Sequence, residues 1–367
     1  MQERDAYVAL NLMEKVGPVT VRSLVEALGS AGAIFEASKQ DLLGVHGVGP
    51  AVAGQIARQS RCLDWQGELE RADARGVRIV TMVDPDYPAS LREIYDPPLA
   101  LYVRGTLQER DQHALAIVGT RRGTHYGRDT AKRLAAGLAH AGYTIVSGLA
   151  RGIDTVAHQG ALEAQGRTLA VIGSGMDHLY PACNSELAEA VVLRGAVLSE
   201  FPLGRKPDRT TFPMRNRIIS GLSKGIVVVE AGTRSGALIT ADAALEQGRN
   251  VFAVPGRIDN AYAEGPNRLI RKGATLVRGV EDILEECGTL WGSSLSKATM
   301  PPQELCTLSE EESHLLTLLD SGEQGVDELI RDSGLPAARV GSVLLALEMK
   351  RLIRMLPGRV VERRDGT

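Results

Sequence analysis

The chain has 367 residues, a formal net charge of −3, 44% hydrophobic and 24% charged residues. Those proportions describe a soluble globular protein of two or three domains. No apolar run approaches the roughly 20 residues of a membrane-crossing helix, and the opening MQERDAYVALNLMEK lacks a basic-then-apolar leader pattern. Cys62, Cys183, Cys287 and Cys306 lie far apart with no CxxC pair, which argues against zinc and a disulfide framework and for a reducing cytoplasm.

Residues 1 to about 70 read as helical and carry two related phrases, Val16-Gly17-Pro18 before VTVRSLVEAL and Gly44 to Gly49 before PAVAGQIAR. A glycine-rich turn between short helices is a helix-hairpin-helix signature. Its N–H groups can hold a DNA phosphate. The same unit also serves as a packing module, and only Arg58 and Arg61 follow the second hairpin closely.

From about 75 to 285, strand-like and helix-like segments alternate. The strand candidates are 78–82, 99–103, 115–118, 143–146, 168–172, 196–198, 226–229, 250–254 and 275–277. The spacing predicts a doubly wound, mostly parallel α/β sheet, with ligands bound beyond the carboxyl ends of its strands. AIVGTRRGTHYG at 116–127 is a strand, a glycine turn and a helix start, like a dinucleotide fingerprint. The second glycine falls at Arg121, however, and the next strand ends in Ser147-Gly148 with no acidic residue for a ribose. No nicotinamide cofactor is expected. A single phosphate at the helix start, met by Thr120 and Arg121, fits the phrase, as does a purely structural turn. In SGLARGIDTVAH (147–158), Asp154 reads as a helix cap and His158 as a partnered core residue, since two ligands make no metal site. Glu200 and Glu230, both at strand ends, form a candidate carboxylate pair.

The densest basic stretch is 201–225, with Arg205, Lys206, Arg209, Arg215, Arg217 and Lys224 against Asp208 alone. Within it, Arg215-Asn216-Arg217 stands just ahead of an expected helix start at Ile218-Ile219, and Phe212 is the nearby ring. Arginines beside one aromatic, on a mildly acidic chain, suit phosphate contacts plus base stacking; an ordinary solvated turn is the alternative. Residues 286–306 read as a linker rich in glycine, serine and proline. From 307 to 364 the pattern is a capped helix (Ser309 three residues before Glu312), a helix-turn-helix around Ser333-Gly334, and two strands around Pro357-Gly358: a winged helix. With eight basic and eleven acidic residues over 307–367, and only Arg339 and Lys350 on its second helix, it suits protein contact better than groove reading.

EAGTRSGALIT (230–240) resembles the phosphate loop of the lysine-decarboxylase-like (LOG) nucleotide phosphoribohydrolases, without the glutamate that follows Gly-Thr there. Taken in order, YPASLREIYDPP, AIVGTR, SGLARGIDTVAH, IGSGMDHLYP, FPMRNRII, VVVEAGTRSGALIT and EQGRNVFAVPG resemble the DprA (Smf) family of DNA-processing proteins over about 87–256. That resemblance implies an extended Rossmann-like domain flanked by a small all-α domain and a winged helix. It implies a non-enzymatic binder of single-stranded DNA, with no cofactor or metal, that forms homodimers and loads RecA recombinase in natural transformation, with single-strand-binding protein as a further partner. Its site residues would be Gly119, Thr120 and Arg121, then Gly148, Arg209, Phe212, Arg215, Asn216 and Arg217. The expected homodimer would use the far half of the sheet, through Leu245, Ile270 and Leu276. A nucleotide-hydrolysing enzyme of the LOG kind is the competing function.

Overall fold

A computed structural model describes residues 1–60, 62–288, 309–319, 322, 324–350, 352–356 and 360–363. Arg61, the Pro357-Gly358 turn and the expected linker from 289 onward lie outside them. The chain divides into two compact units, Met1–Ser294 and Leu295–Thr367.

The first unit opens with six helices: α1 (Glu3–Leu12), α2 (Pro18–Leu28), α3 (Ala31–Glu36), α4 (Lys39–Leu43), α5 (Pro50–Gln59) and α6 (Trp65–Asp73). The two hairpin phrases supply the starts of α2 and α5, each with proline in the first turn, where its fixed φ and missing N–H do no harm. Leu10, Leu24, Ile34, Leu42 and Ile56 close a small core of their own. Packing joins this helical segment to the sheet: Val8 is buried against Val77 and Ile79, Arg4 donates to the Ile79 carbonyl at 2.7 Å, and Asn11 donates to the Glu200 carbonyl at 3.0 Å.

Then come β1 (Val77–Thr81), α7 (Ala89–Arg92), β2 (Ala100–Gly105), β3 (Ala114–Val118), α8 (His125–His140), β4 (Thr144–Ser147), α9 (Ile153–Glu163), β5 (Thr168–Val171), α10 (Ser185–Arg194), β6 (Ala196–Ser199), α11 (Thr211–Gly221), β7 (Gly225–Val228), α12 (Gly236–Glu246), β8 (Asn250–Ala253), α13 (Glu264–Arg271), β9 (Thr275–Leu276) and α14 (Val280–Cys287). They form a nine-stranded sheet in the order β1-β2-β6-β5-β4-β3-β7-β8-β9. All pairings are parallel except the two made by β2. Strand residues alternate between the faces. Ala116 and Val118 of β3 join Ile218, Leu238 and Ala241 under α11 and α12, while Leu115 and Ile117 join Leu134, Leu138 and Ala157 under α8 and α9. This is the doubly wound Rossmann-like sheet that the alternation predicts.

The second unit holds α15 (Glu310–Leu318), β10 (Gln324–Gly325), α16 (Val326–Ser333), α17 (Ala337–Met349), β11 (Ile353–Leu356) and β12 (Val360–Arg363), with its strands antiparallel in the order β10-β12-β11. It is a winged helix. The capping box at its start is present, with Glu312 N donating to Ser309 Oγ and Ser309 N to Glu312 Oε2. Both cations expected on α17 meet glutamates of α15, Arg339 with Glu311 at 2.8 Å and Lys350 with Glu312 at 2.7 Å. No helix among the described residues is long and apolar enough to cross a membrane.

At the amino edge of the parallel strands, buried Arg167 forks onto Asp111 at 2.6 and 2.8 Å and donates to the Thr106 carbonyl at 2.5 Å. Removing the guanidinium strands a buried carboxylate, which costs about 3–5 kcal/mol. Arg167→Ala is expected to lower stability by about that much in urea unfolding followed by circular dichroism.

Candidate functional site

The chain winds from β3 outward through β4, β5 and β6, then returns to the other side of β3 with β7. The crevice beyond the carboxyl ends of β3 and β7 is therefore the topological switch point, where open α/β sheets bind ligands. A cleft of about 510 Å³ opens there. Its walls are the β3–α8 loop (Gly119 to Arg122), the first turns of α11, the β7–α12 loop (Gly232 to Gly236) and Tyr262.

The N-terminus of α8 is already occupied. The Glu230 carboxylate, from the end of β7, accepts from Thr124 N at 2.8 Å and Thr124 Oγ1 at 2.6 Å. It lies against Gly127, where any side chain would displace it. The Glu230 carbonyl accepts from Thr120 N at 2.7 Å. An anion at a helix start is favourable whether it comes from a ligand or from the chain itself, and here the protein's own carboxylate sits at Thr124, the N-cap of α8. Glu230 and Glu200 are no pair: they follow β7 and β6, which β5, β4 and β3 separate in the sheet. Gly119 packs on Ile153, and Gly152, at φ +81°, brings the β4–α9 turn against the Thr120 carbonyl. A side chain at Gly152 would collide with that backbone.

Arg215-Asn216-Arg217 also departs from expectation. Helix α11 begins at Thr211, not near Ile218, so the triplet lies inside it and is buried, with 5%, 8% and 9% of its surface exposed. Arg215 donates to the Val171 carbonyl and lies over Gly148, where a side chain would overlap the guanidinium. Burial pulls Arg215 down to about 10, with Asp154 opposing. Arg217 pairs with Glu200 and, at 2.8 Å, with Asp96. Burial raises the Glu200 carboxyl and Arg217 holds it down. Asn216 donates to the Gly236 carbonyl at 3.2 Å, tying α11 to the start of α12. The two arginines thus neutralise interior charge and shape the cleft from beneath. Gly152, not Asp154, is the N-cap of α9; Asp154 accepts from Ala150 N at 3.4 Å. His158 faces Thr168 Oγ1 at 2.7 Å, and burial pushes it down to about 3.

The cationic surface comes from elsewhere. Arg121, Arg122, Arg151, Lys206, Arg209 and Arg234 are exposed, and among the described residues none has a carboxylate within ion-pair distance. They follow β3, β4, β6 and β7, so the sheet order gathers them along one edge. Arg205, by contrast, pairs with Asp208 at 2.5 Å. The Arg121 guanidinium carbon stands 5.2 Å from the Phe212 ring centroid, and the Tyr180 ring lies 5.8 Å from Phe212 at 52°. Sequence reading found Arg121, Arg209 and Phe212 but passed over Arg122, Arg151, Arg234 and Tyr180. Position just after a strand end was the available signal for the three arginines. Among the described residues, no group of three or more His, Cys, Asp or Glu is placed to hold a metal ion.

On the far half of the sheet, Leu245 of α12 and Leu276 of edge strand β9 are 56% and 42% exposed, and Ile239 of α12 is exposed as well. Ile270 is half-buried against the main core.

The family model described as DNA recombination-mediator protein A matches residues 78–288. A SAM-like helix-hairpin-helix tandem matches 9–61 and the DprA winged helix domain matches 298–359. Protein Smf of Synechocystis is 33% identical over 99% of both chains, and Protein Smf of Escherichia coli is 43% identical over 76% of this chain and 75% of its own. The solved DNA processing protein A of Streptococcus pneumoniae superposes with a TM-score of 0.67 at 35% identity, over 78% of this chain and 98% of its own. That of Helicobacter pylori, described with its single-stranded DNA binding mode, superposes at 0.52 and 29% identity, over 57% and 95%.

The Arg217–Glu200 pair makes stability depend on pH. Without Arg217, the folded-state pKa of Glu200 rises further above its unfolded value of about 4.3. A raised folded pKa contributes stability that is present at low pH and lost as pH climbs through it. Arg217→Met is therefore expected to be about 3–5 kcal/mol less stable than wild type at pH 7, with the gap narrowing by pH 5. Urea titrations at both pH values measure it.

Proposed function

The chain belongs to the DNA recombination-mediator protein A (DprA) family, and from that premise we propose that it binds single-stranded DNA along the carboxyl edge of the sheet and delivers it to RecA recombinase. The observation that carries this reading is the row of unpaired cations beside an arginine-topped aromatic ring, at the switch point of the sheet. Single-strand binders combine a cationic track with stacking rings. Here Arg121 and Arg209 meet phosphates, the Gly119-Thr120 turn lets the strand approach the backbone, and Phe212 backs the bases. Gly148, Arg215, Asn216 and Arg217 hold the floor and flank of the groove. Few side chains along the track read base edges, so binding is expected to tolerate any sequence.

The carboxyl edge of an open sheet leaves a bound strand accessible from one side, which suits transfer to a recombinase and exchange with single-strand-binding protein. We place the homodimer contact at Leu245 and Leu276, with Ile270 behind them. Two linked grooves strengthen the grip on one long strand without any new contact. The winged helix, whose α17 cations are paired internally, acts as an auxiliary protein-contact module.

Arg121→Ala is expected to weaken oligo-dT binding at least tenfold in fluorescence anisotropy with the circular dichroism spectrum unchanged. Affinity of the wild type should fall with salt at a log–log slope of about −0.7 per phosphate contact, and the variant should lose about one contact from that slope. A flat salt response, or release of adenine from AMP by the purified chain, would instead favour the phosphoribohydrolase reading.

The dimer has its own check. Leu245→Arg is expected to give a folded monomer in light scattering that keeps its affinity for short oligonucleotides and loses it for long ones. An unchanged oligomeric state would remove Leu245 from the interface.

A further inference from the structure

Phe212 is less open than its place in the groove suggests. Arg121 covers its ring at 5.2 Å, and its Cδ1 and Cε1 lie so close over Gly173 that a side chain there would collide with the ring. Phe212 is only half-exposed. Its neighbour Tyr180 is 46% exposed, with its ring tilted against Phe212 at 5.8 Å. Among the described residues two tyrosines are more exposed: Tyr95, at 73%, lies beneath Arg22, and Tyr126, at 54%, is in the first turn of α8, whereas Tyr180 stands against Phe212.

Tyr180 is also held in place. The β5–α10 loop that carries it is stitched to the segment after β6, with Gly175 N donating to the Arg205 carbonyl at 2.8 Å and Asp177 N to the Leu203 carbonyl at 3.1 Å. Pro181 is buried. Asn184 donates to the Leu149 carbonyl at 2.8 Å and to Thr155 Oγ1 at 2.9 Å. A ring fixed at its backbone and open at its face loses little freedom when a planar ligand stacks on it. The sheet order continues the cationic track to this point: the loops after β7, β3, β4 and β5 bear Arg234, Arg121, Arg151 and Tyr180 in turn.

We propose that Tyr180 is a base-stacking platform of the groove, more open in the free protein than Phe212, and that Phe212 accepts a base only after Arg121 leaves its ring for a phosphate. The proposal rests on the single-strand reading of the groove and adds a residue and an order of events to it. A base docks on Tyr180 first, the neighbouring phosphate then draws Arg121 away, and the Phe212 face opens. Both rings are π surfaces that take any base.

The test uses the full-length chain with a 20-nucleotide oligo-dT and the same oligonucleotide substituted with 5-iodouracil. Tyr180→Ala is expected to weaken binding about 5- to 150-fold, the usual range for loss of one stacked base, while Tyr180→Phe keeps wild-type affinity. Irradiated wild type should cross-link at Tyr180, and Arg121→Ala, at protein concentrations that give equal occupancy of the oligonucleotide, should cross-link at Phe212 at least as much as wild type, since its face is already uncovered. Wild type that binds while Tyr180→Ala binds within twofold of it would overturn the platform. So would a cross-link absent from Tyr180, which decides the matter if the alanine variant does not fold. If wild type itself fails to bind oligo-dT, the single-strand reading falls first and takes this proposal with it.

Discussion

One carboxylate sets the geometry of the whole carboxyl edge. Glu230 leaves the end of β7, caps α8 through Thr124 and, through its carbonyl, holds Thr120. The loops on the two sides of the switch point are thereby locked to each other. The same contact fills the helix start that, in many sheets of this class, is left for a ligand phosphate. The exposed cations stand outward from that position, on side chains clear of the helix start. Arg121 is the first of them.

Below the groove, the interior carries charge that packing alone would not tolerate. Arg215 and Arg217 are desolvated on a helix whose second half is buried, and each is compensated locally: Arg215 by the Val171 carbonyl and the nearby Asp154, Arg217 by Glu200 and Asp96. An ion pair of this kind contributes little net stability against an apolar equivalent, yet losing one partner is severe. Its effect is directional. The two arginines pin α11 to the ends of β5 and β6, and the N-terminus of α11 is where Phe212 sits. Buried charge positions the Phe212 ring.

The elements of the sheet were legible because their cause is local. Each of the nine strands is a short β-branched or apolar run with a turn at its end, and period-two burial follows from the pleat. The capping box at Ser309 and the proline-led starts of α2 and α5 are likewise written in a few adjacent residues. The function of the basic stretch was less legible. Six cations within 25 residues read as one surface patch, whereas Arg215 and Arg217 turn inward and Arg205 pairs with Asp208. Charge counted along a chain carries no information about direction. The start of α11 was misplaced for a related reason: Thr211 to Arg217 is polar enough to look like a loop, and only burial against β5 and β6 makes it helical.

By itself, then, the sequence determined the alternation of strands and helices, the winged helix and the small helical segment before the sheet, because hydrophobic periodicity and turn chemistry act between neighbours. It also singled out Arg121 and Phe212 as residues of interest. Only the tertiary structure decided that a carboxylate from β7 fills the start of α8, that two arginines are interior ties, and that cations after four different strands line one edge. It alone set Tyr180 beside Phe212. Those outcomes depend on strand order, which brings residues more than a hundred positions apart within hydrogen-bond distance, as with Thr124 and Glu230, and no local pattern encodes that distance.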